Sequence, residues 1–429
     1  MKGDGVLHRL FVSFFPINGK DDFMNINQVQ ENNSTWKHKI ALFIISQNLS
    51  LFGSSVVSFA IIWYITLQTS SGTWVMLFTI FSLLPQVLIS LWAGVWADRY
   101  NRKHLIMLAD GFIALATLGL VIAFLAGYQS MELLLVISAV RSIGAGIQTP
   151  AIVAMYPQIV PVEKLTRVQG INQTLNSVLM LLSPAVGGIV LGSLGITWAF
   201  MLDVITASLA IIALGFMHVE KVVRSEEVTG VLTELRQGIT YTLNHKLLKR
   251  TLIIFGVSFV LITPAAVLTP LLVERSFGSD VWRLTANEIV WTVGTLIGGA
   301  FVSLRGEFRD KIFTVAVCLV AFGITFALLG IAKNFTIYLL IMGAAGFFMP
   351  IIATAQTVLI QENVEAAMMG RVFSLVQIVT GTAMPVAILF FGPLADIISI
   401  GLILLVTGIL LALTGVLYQI TSKRAGISY

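Results

Sequence analysis

From about residue 39 onward the chain alternates long apolar stretches with short polar loops. Twelve stretches stand out, at about 39–66, 73–96, 104–127, 131–157, 168–193, 196–217, 248–273, 285–304, 312–332, 335–359, 371–395 and 398–420. A run of ~20 apolar residues crosses the ~30 Å hydrocarbon core of a bilayer, so each stretch predicts one crossing. Backbone groups in lipid must satisfy their hydrogen bonds within the segment, which makes the crossings helices. The pattern therefore predicts an all-α membrane protein with twelve transmembrane helices.

Two regions interrupt the pattern. Residues 1–38 are polar and rich in Asn and Gln, apart from the run LFVSFFPI at 10–17. That run is too short to span and no small-residue cleavage site follows it, so no signal peptide is expected. The region is read as a polar N-terminal tail, within which Met24 offers an alternative start to Met1. The second interruption, 218–247, places Val231, Leu232, Leu235, Ile239 and Leu243 at helical spacing. It predicts an amphipathic surface helix linking a six-helix bundle at 39–217 to another at 248–421, with 422–429 as a C-terminal tail.

Composition agrees with a membrane protein. Apolar and aromatic residues make up 57% of the chain and charged residues 11%, against ~25% charged in soluble domains; mean hydropathy is +0.93. The net charge of +5 needs no nucleic acid to explain it once the positions of the basic residues are considered. With both termini cytoplasmic, 22 of the 26 lysines and arginines fall on the cytoplasmic side. Arg275, Arg283 and Lys333 fall outside, and Arg141 lies within a span. The positive-inside rule selects this orientation. The single cysteine, Cys318, lies in an apolar run and reads as a small buried residue. No Cys/His spacing suggests a metal, no nucleotide-binding loop is present, and no nucleophile–base pattern suggests an enzyme.

The two halves echo each other. Gly146 precedes Pro150 by four residues in the fourth span, as Gly346 precedes Pro350 in the tenth. Arg167 and Arg371 are each followed six residues later by glutamine, Gln173 and Gln377. These shared spacings support two parallel repeats, hence two pseudo-symmetric six-helix bundles.

Between the second and third spans runs Gly94-Val-Trp-Ala-Asp98-Arg99-Tyr-Asn101-Arg102-Lys103. It resembles the loop signature of the major facilitator superfamily, G-x-x-x-D-R-x-G-R-R/K. Gly94 would permit close helix approach, and Asp98 suits the positive N-terminal end of another helix. Arg99, Arg102 and Lys103 could hold carboxylates or lipid headgroups. Asn101 stands where glycine is usual and would tolerate a left-handed turn. The resemblance implies a cytoplasmic gate latch in which Asp98 faces the start of the eleventh helix, around Gly370 and Arg371. A solvated basic loop would explain the Arg and Lys but not the Gly and Asp positions.

In the fifth span, Gly170, Pro184, Gly187 and Gly188 partly match the antiporter signature of exporters in that superfamily. Leu179 and Ser183 replace glycines of the signature, and ordinary small-residue helix packing is the competing reading. Longer stretches, including RSIGAGIQTPAIVAMYPQIVP and GRVFSLVQIVTGTAMP, are similar to the macrolide-efflux branch of bacterial drug exporters. This likeness implies a multi-pass transporter of the cell membrane, taken to act as a monomer. Its substrate would be a bulky amphipathic small molecule, exported by alternating access and driven by the proton gradient without a bound cofactor. The rival readings are a facilitator for a siderophore, lipid or nutrient, and a non-transporting receptor or scaffold.

Candidate site residues follow from polar groups inside spans. Arg141 lies about ten residues from the outer end of its span, near mid-bilayer. Such a group is costly there, so it contacts substrate or forms a static ion pair. Gln47, Arg141, Asn172, Gln173 and Gln377 are the candidate cavity residues, with interhelical hydrogen bonding as the alternative. Asn48 and Asn176 offer the same chemistry. Asp110, Asp203 and Glu288 are candidate proton carriers or structural partners. Asp110 is expected to reach toward Arg141 or the latch.

Overall fold

The computed structural model describes residues 21–217, 231–306, 308–365 and 368–424. The first part of the tail (1–20), the first part of the linker (218–230) and residues 425–429 lie outside the described residues, as do the side chains of Val231, Leu232, Leu235 and Asp98. The described residues form helices and no strands.

The helices are α1 (Asp21–Thr69), α2 (Gly72–Arg99), α3 (Arg102–Leu125), α4 (Met131–Ile159), α5 (Leu165–Ser193), α6 (Ile196–Gly215), α7 (Val231–Asn244), α8 (Lys246–Val267), α9 (Thr269–Phe277), α10 (Val281–Arg305), α11 (Lys311–Ile331), α12 (Phe335–Asn363), α13 (Met369–Ile397) and α14 (Ile400–Arg424). Twelve are long and apolar enough to cross a membrane. A short 3-10 turn, Val162–Lys164, precedes α5. The chain alternates direction, so α1 begins and α14 ends on one face, called the near face below; the opposite face is the far face.

The seventh span, read from sequence as one helix over 248–273, breaks at Leu268 into α8 and α9. Pro264 in α8 and Pro270 in the first turn of α9 lack the N–H that an unbroken ladder needs. At its other end α1 extends back to Asp21, through part of the polar segment assigned to a tail.

Helices α1–α6 pack as one bundle and α8–α14 as another, with the same neighbours in each. Thus α2 lies on α4 as α10 lies on α12, and α3 lies on α6 as α11 lies on α14. The repeated glycines perform equivalent tasks. A Cβ on Gly146 would strike the backbone of Gln86 in α2, and one on Gly346 would strike Trp291 in α10. Small residues let helix backbones touch where lipid supplies no hydrophobic driving force between them. Away from these seams the helices present apolar side chains outward, such as Leu108, Leu115 and Ile122 along α3, as a lipid-facing surface requires. The bundles meet along two symmetry-related pairs, α2 with α13 and α5 with α10.

Candidate functional site

The first bundle encloses a polar cavity of about 430 Å³. Gln47, Ser50 and Ser54 of α1, Arg141, Ser142 and Gln148 of α4, and Asn172 and Asn176 of α5 line it. Three of the five cavity residues expected from sequence, Gln47, Arg141 and Asn172, therefore meet. The other two do not join them. Gln173 is exposed and Gln377 lines a separate cavity in the second bundle with Gln356.

Arg141 is buried, and its guanidinium forms an ion pair with Asp203 of α6. Asp203 is fully buried and also accepts from Thr117 (2.8 Å) and Ser54 (3.1 Å). Gly53 makes this possible, because any Cβ there would collide with Thr206 and the Asp203 backbone. Asp110 does not hydrogen-bond to Arg141, one of the two directions in which sequence placed it. It accepts from Ser50 at 2.6 Å and Gln148 at 2.7 Å, both through Oδ1. Arg141 and Gln148 lie seven residues apart on α4, on one helix face, and the longer arginine is taken by the carboxylate of α6. The second oxygen of Asp110, Oδ2, is buried with no hydrogen-bond partner among the described residues. Both carboxylates stand behind the cavity wall, reached through Ser50, Ser54, Gln148 and Arg141. Sequence reading missed Gln148, Ser50 and Ser54; the helical spacing of Ser50 and Ser54 from Gln47 is the signal that could have found them.

The second bundle holds a cavity of about 290 Å³ of opposite character. Phe259, Trp291, Phe322, Phe326 and five methionine or isoleucine side chains make up half of its lining residues, and Glu288 is its charged group. Asn287 donates to Glu288 at 3.3 Å and accepts from Tyr338 at 2.9 Å. Ser258, buried without a hydrogen-bond partner, also lines this cavity. Glu288 thus sits in a cavity, whereas Asp110 and Asp203 sit in a hydrogen-bonded network.

At the near face the 94–103 segment is mostly helix. Gly94 to Arg99 complete α2, and only Tyr100 and Asn101 separate it from α3. Asn101 has φ −66° and ψ 113°, extended, so the left-handed turn it would tolerate is not used, and two extended residues suffice to reverse the chain. Arg102 donates to the carbonyls of Ala97 and Ala154, each at 2.9 Å, and Lys103 donates to those of Gly215 and Met217. These cations cover helix C-terminal carbonyls, a favourable place for positive charge. Arg99 is exposed. A Cβ added to Gly94, Gly170 or Gly370 would meet nothing within 4 Å, so the near ends of α2, α5 and α13 are not pressed against the other bundle. Arg371 contacts Met368, and its backbone packs on Gly238 of α7.

The far face is closed. In the α5 motif, a Cβ on Gly188 would collide with Thr285 of α10, while Gly187 faces α1 and Pro184 lies within the helix. At α2 and α13 the backbones of Gly72 and Gly392 touch. The hydrogen bonds that join the bundles gather here: Ser70 donates to Glu274, Arg275 donates to the Ser70 carbonyl, and the Gly72 N–H donates to Asp396. Sequence reading passed over Glu274 and Asp396, since loop-end carboxylates carry no helical periodicity to mark them. The molecule is closed at its far face and open toward its near face.

Residues 43–388 match the family model described as Major Facilitator Superfamily. Macrolide efflux protein A of Streptococcus pyogenes is 28% identical over 385 residues, covering 88% of this chain and 94% of that protein. The Staphyloferrin A transporter of Staphylococcus aureus is 22% identical over 365 residues, covering 83% and 90%. Among solved structures, the nucleoside transporter NupG aligns with a TM-score of 0.69 at 15% identity, over 89% of this chain and 99% of that one; this likeness concerns the fold.

Proposed function

Because the chain belongs to the Major Facilitator Superfamily, a family of membrane transporters, we propose that it exports an amphipathic small molecule in exchange for protons. The observation that carries this reading is the unequal lining of the two cavities. One wall offers hydroxyls, amides and a paired arginine. The other offers aromatic and methionine side chains around Glu288. A solute with a broad apolar face and several polar groups fits between such walls, and macrolides, the substrates named for the S. pyogenes relative, have that character. Flexible methionines suit a site that accepts more than one shape.

The excess of basic residues at the near face supports a cytoplasmic assignment for that face and for both termini. A molecule open there loads its solute from the cytoplasm of a bacterial cell membrane. Rocking of the bundles then exposes it at the far face, with Asp98 latching the near face against the start of α13 and the α5 glycines sealing the far side. Asp110 is the favoured proton carrier, since one of its oxygens lacks a partner and an ionisable group held in a membrane is functional by default. Asp203, committed to Arg141, is the less suited of the two, and Glu288, which lines the second cavity, is assigned to face solute.

A siderophore, as named for the S. aureus relative, is the second reading, favoured by the presence of Arg141 in the cavity wall. Its neutralisation by Asp203 and the carboxylate of Glu288 opposite both weigh against an anionic solute. The test is accumulation of labelled compounds, macrolides and a ferric siderophore among them, in cells with and without the protein. Lower accumulation of an amphipath, abolished by an uncoupler, is expected. Accumulation unchanged by the protein for every compound would sink the export reading.

A further inference from the structure

The structure assigns Asp396 of α13 as the far-face gate residue: it caps the N-terminus of α2 across the interface between the bundles, and it stands opposite Asp98 in a two-ended latch. The first N–H groups of a helix have no intrahelical acceptor and carry partial positive charge, so a carboxylate beside them is favourable. In α2 the residue at the capping position, Ser71, makes no side-chain cap. Asp396 does that work from the other bundle. Its Oδ1 accepts from the Gly72 N–H at 2.6 Å, and its Oδ2 accepts from the Thr73 N–H at 2.9 Å. The hydroxyls of Ser71 and Thr73 donate to Oδ2 as well, at 2.9 and 2.6 Å. Arg275 of α9 braces the carboxylate at 3.2 Å and donates to the Ala395 carbonyl at 2.6 Å. It also grips the turn at Ser70, whose hydroxyl donates to Glu274 at 2.7 Å.

The geometry of α2 and α13 makes this cap half of a pair. The helices run in opposite directions and have 28 and 29 residues, so each spans about 42 Å at 1.5 Å per residue. The C-terminus of each is therefore level with the N-terminus of the other. Asp396 is the second-last residue of α13, and Asp98 is the second-last residue of α2. At the near face the N-terminus of α13 has Met368 at its capping position and no side-chain cap, and Gly370 there faces open space. In the state described, then, one N-terminus is capped across the interface, and among the described residues its counterpart has no such cap. Rocking that separates Asp396 from α2 brings Asp98 to α13, so each state exchanges one helix cap for the other. The energies nearly cancel, which keeps the two states close in population and lets solute and protons decide between them.

This inference takes from the transport reading only what the exchange accomplishes; its own test is conformational. Spin-label pairs replace exposed residues on opposite bundles in a Cys318→Ser background, Tyr128 with Lys333 at the far face and His104 with Gln361 at the near face. Distances are measured on the full chain in lipid nanodiscs. Asp396→Ala should raise the ratio of far-open to far-closed molecules about fivefold, the effect of losing one helix cap, while Asp98→Ala should lower it. The double variant should return toward the wild-type ratio. A structural role alone is separated by Ser71→Asp added to Asp396→Ala. That change gives α2 a cap from its own chain, and should restore the melting temperature but not the far-closed population. The assignment is overturned if Asp396→Ala leaves both distance distributions unchanged, if it moves them in the same direction as Asp98→Ala, or if Ser71→Asp restores the distances as well. Uncoupler-sensitive efflux by the wild type would stand in any of these cases, so the two readings fail separately.

Discussion

At the residue scale, the Arg141–Asp203 pair and Asp110 make different demands on the first bundle. Arg141 and Asp203 are both buried and each is the other's ionic partner. Removing one leaves an uncompensated charge, which costs about 3–5 kcal/mol in buried pairs. Asp203→Asn is therefore expected to lower the melting temperature sharply, and adding Arg141→Gln should recover much of the loss. Thermal unfolding followed by size-exclusion fluorescence measures this, and additive losses in the double variant would refute a mutual pairing. Asp110→Asn is a gentler change. The amide oxygen still accepts from Ser50 and Gln148, so the fold should be retained while a proton can no longer be released. Efflux driven by a pH gradient should fall on the order of tenfold, as for an intramembrane ionisable group with a coupling role, while exchange of labelled for unlabelled solute continues. Gradient-driven efflux at wild-type rate would remove Asp110 from the coupling path. Arg141 was conspicuous in the sequence because a guanidinium within an apolar span has few benign explanations. Its partner was not, because carboxylates on α3, α6 and α10 all lay on other helices and helix rotation is absent from a linear pattern.

At the element scale, close helix crossings depend on single glycines, and the structure separates those in use from those in waiting. Where α11 crosses α14, a Cβ on Gly408 would strike the Gly323 carbonyl and the Ala327 N–H, and one on Gly330 would strike Gly401. Gly408→Val must push the two backbones apart, a kind of overpacking that costs about 1–3 kcal/mol, and should lower the melting temperature. Gly370→Ala, which meets open space in this state, should leave the melting temperature unchanged. Equal melting temperatures for both variants would contradict the crossing geometry. Helix number and order were legible in the sequence because lipid enforces length and apolarity on every span. The break at Leu268 was less so: Pro264 and Pro270 are visible, but proline in a membrane helix is as compatible with a kink as with a new helix. The amphipathic linker was legible as α7, but its packing was not. Gly238 seats against the Arg371 backbone, while Ile239 and Leu243 remain exposed, so these two residues of the apolar stripe do not mark the face turned toward the protein.

At the scale of the whole molecule, the alternating access proposed above requires at least two arrangements of the same bundles, and the pattern of spans would be identical in both. That is why the near-face loop could be recognised while the state in which it stands open could not. The closed far face, by contrast, has a geometry that can be fixed chemically. A Cβ on Gly192 of α5 would lie 3.6 Å from the Cβ of Val281 of α10, close to the ~3.8 Å separation of bonded cysteines. Replacing both residues with cysteine in a Cys318→Ala background should give a disulfide that ties the two bundles at the far face. If solute must leave through that face, oxidised protein will bind solute but not release it across the membrane, and reduction will restore transport. Binding should persist because the tie lies away from the near-face opening and both cavities. Mass spectrometry verifies the bond, and vesicle transport with and without reductant reads the consequence. Transport by fully bonded protein at the reduced rate would mean that the far-face contact of α5 with α10 does not open during the cycle, and the rocking of rigid bundles would have to be abandoned for a mechanism in which this seam stays shut.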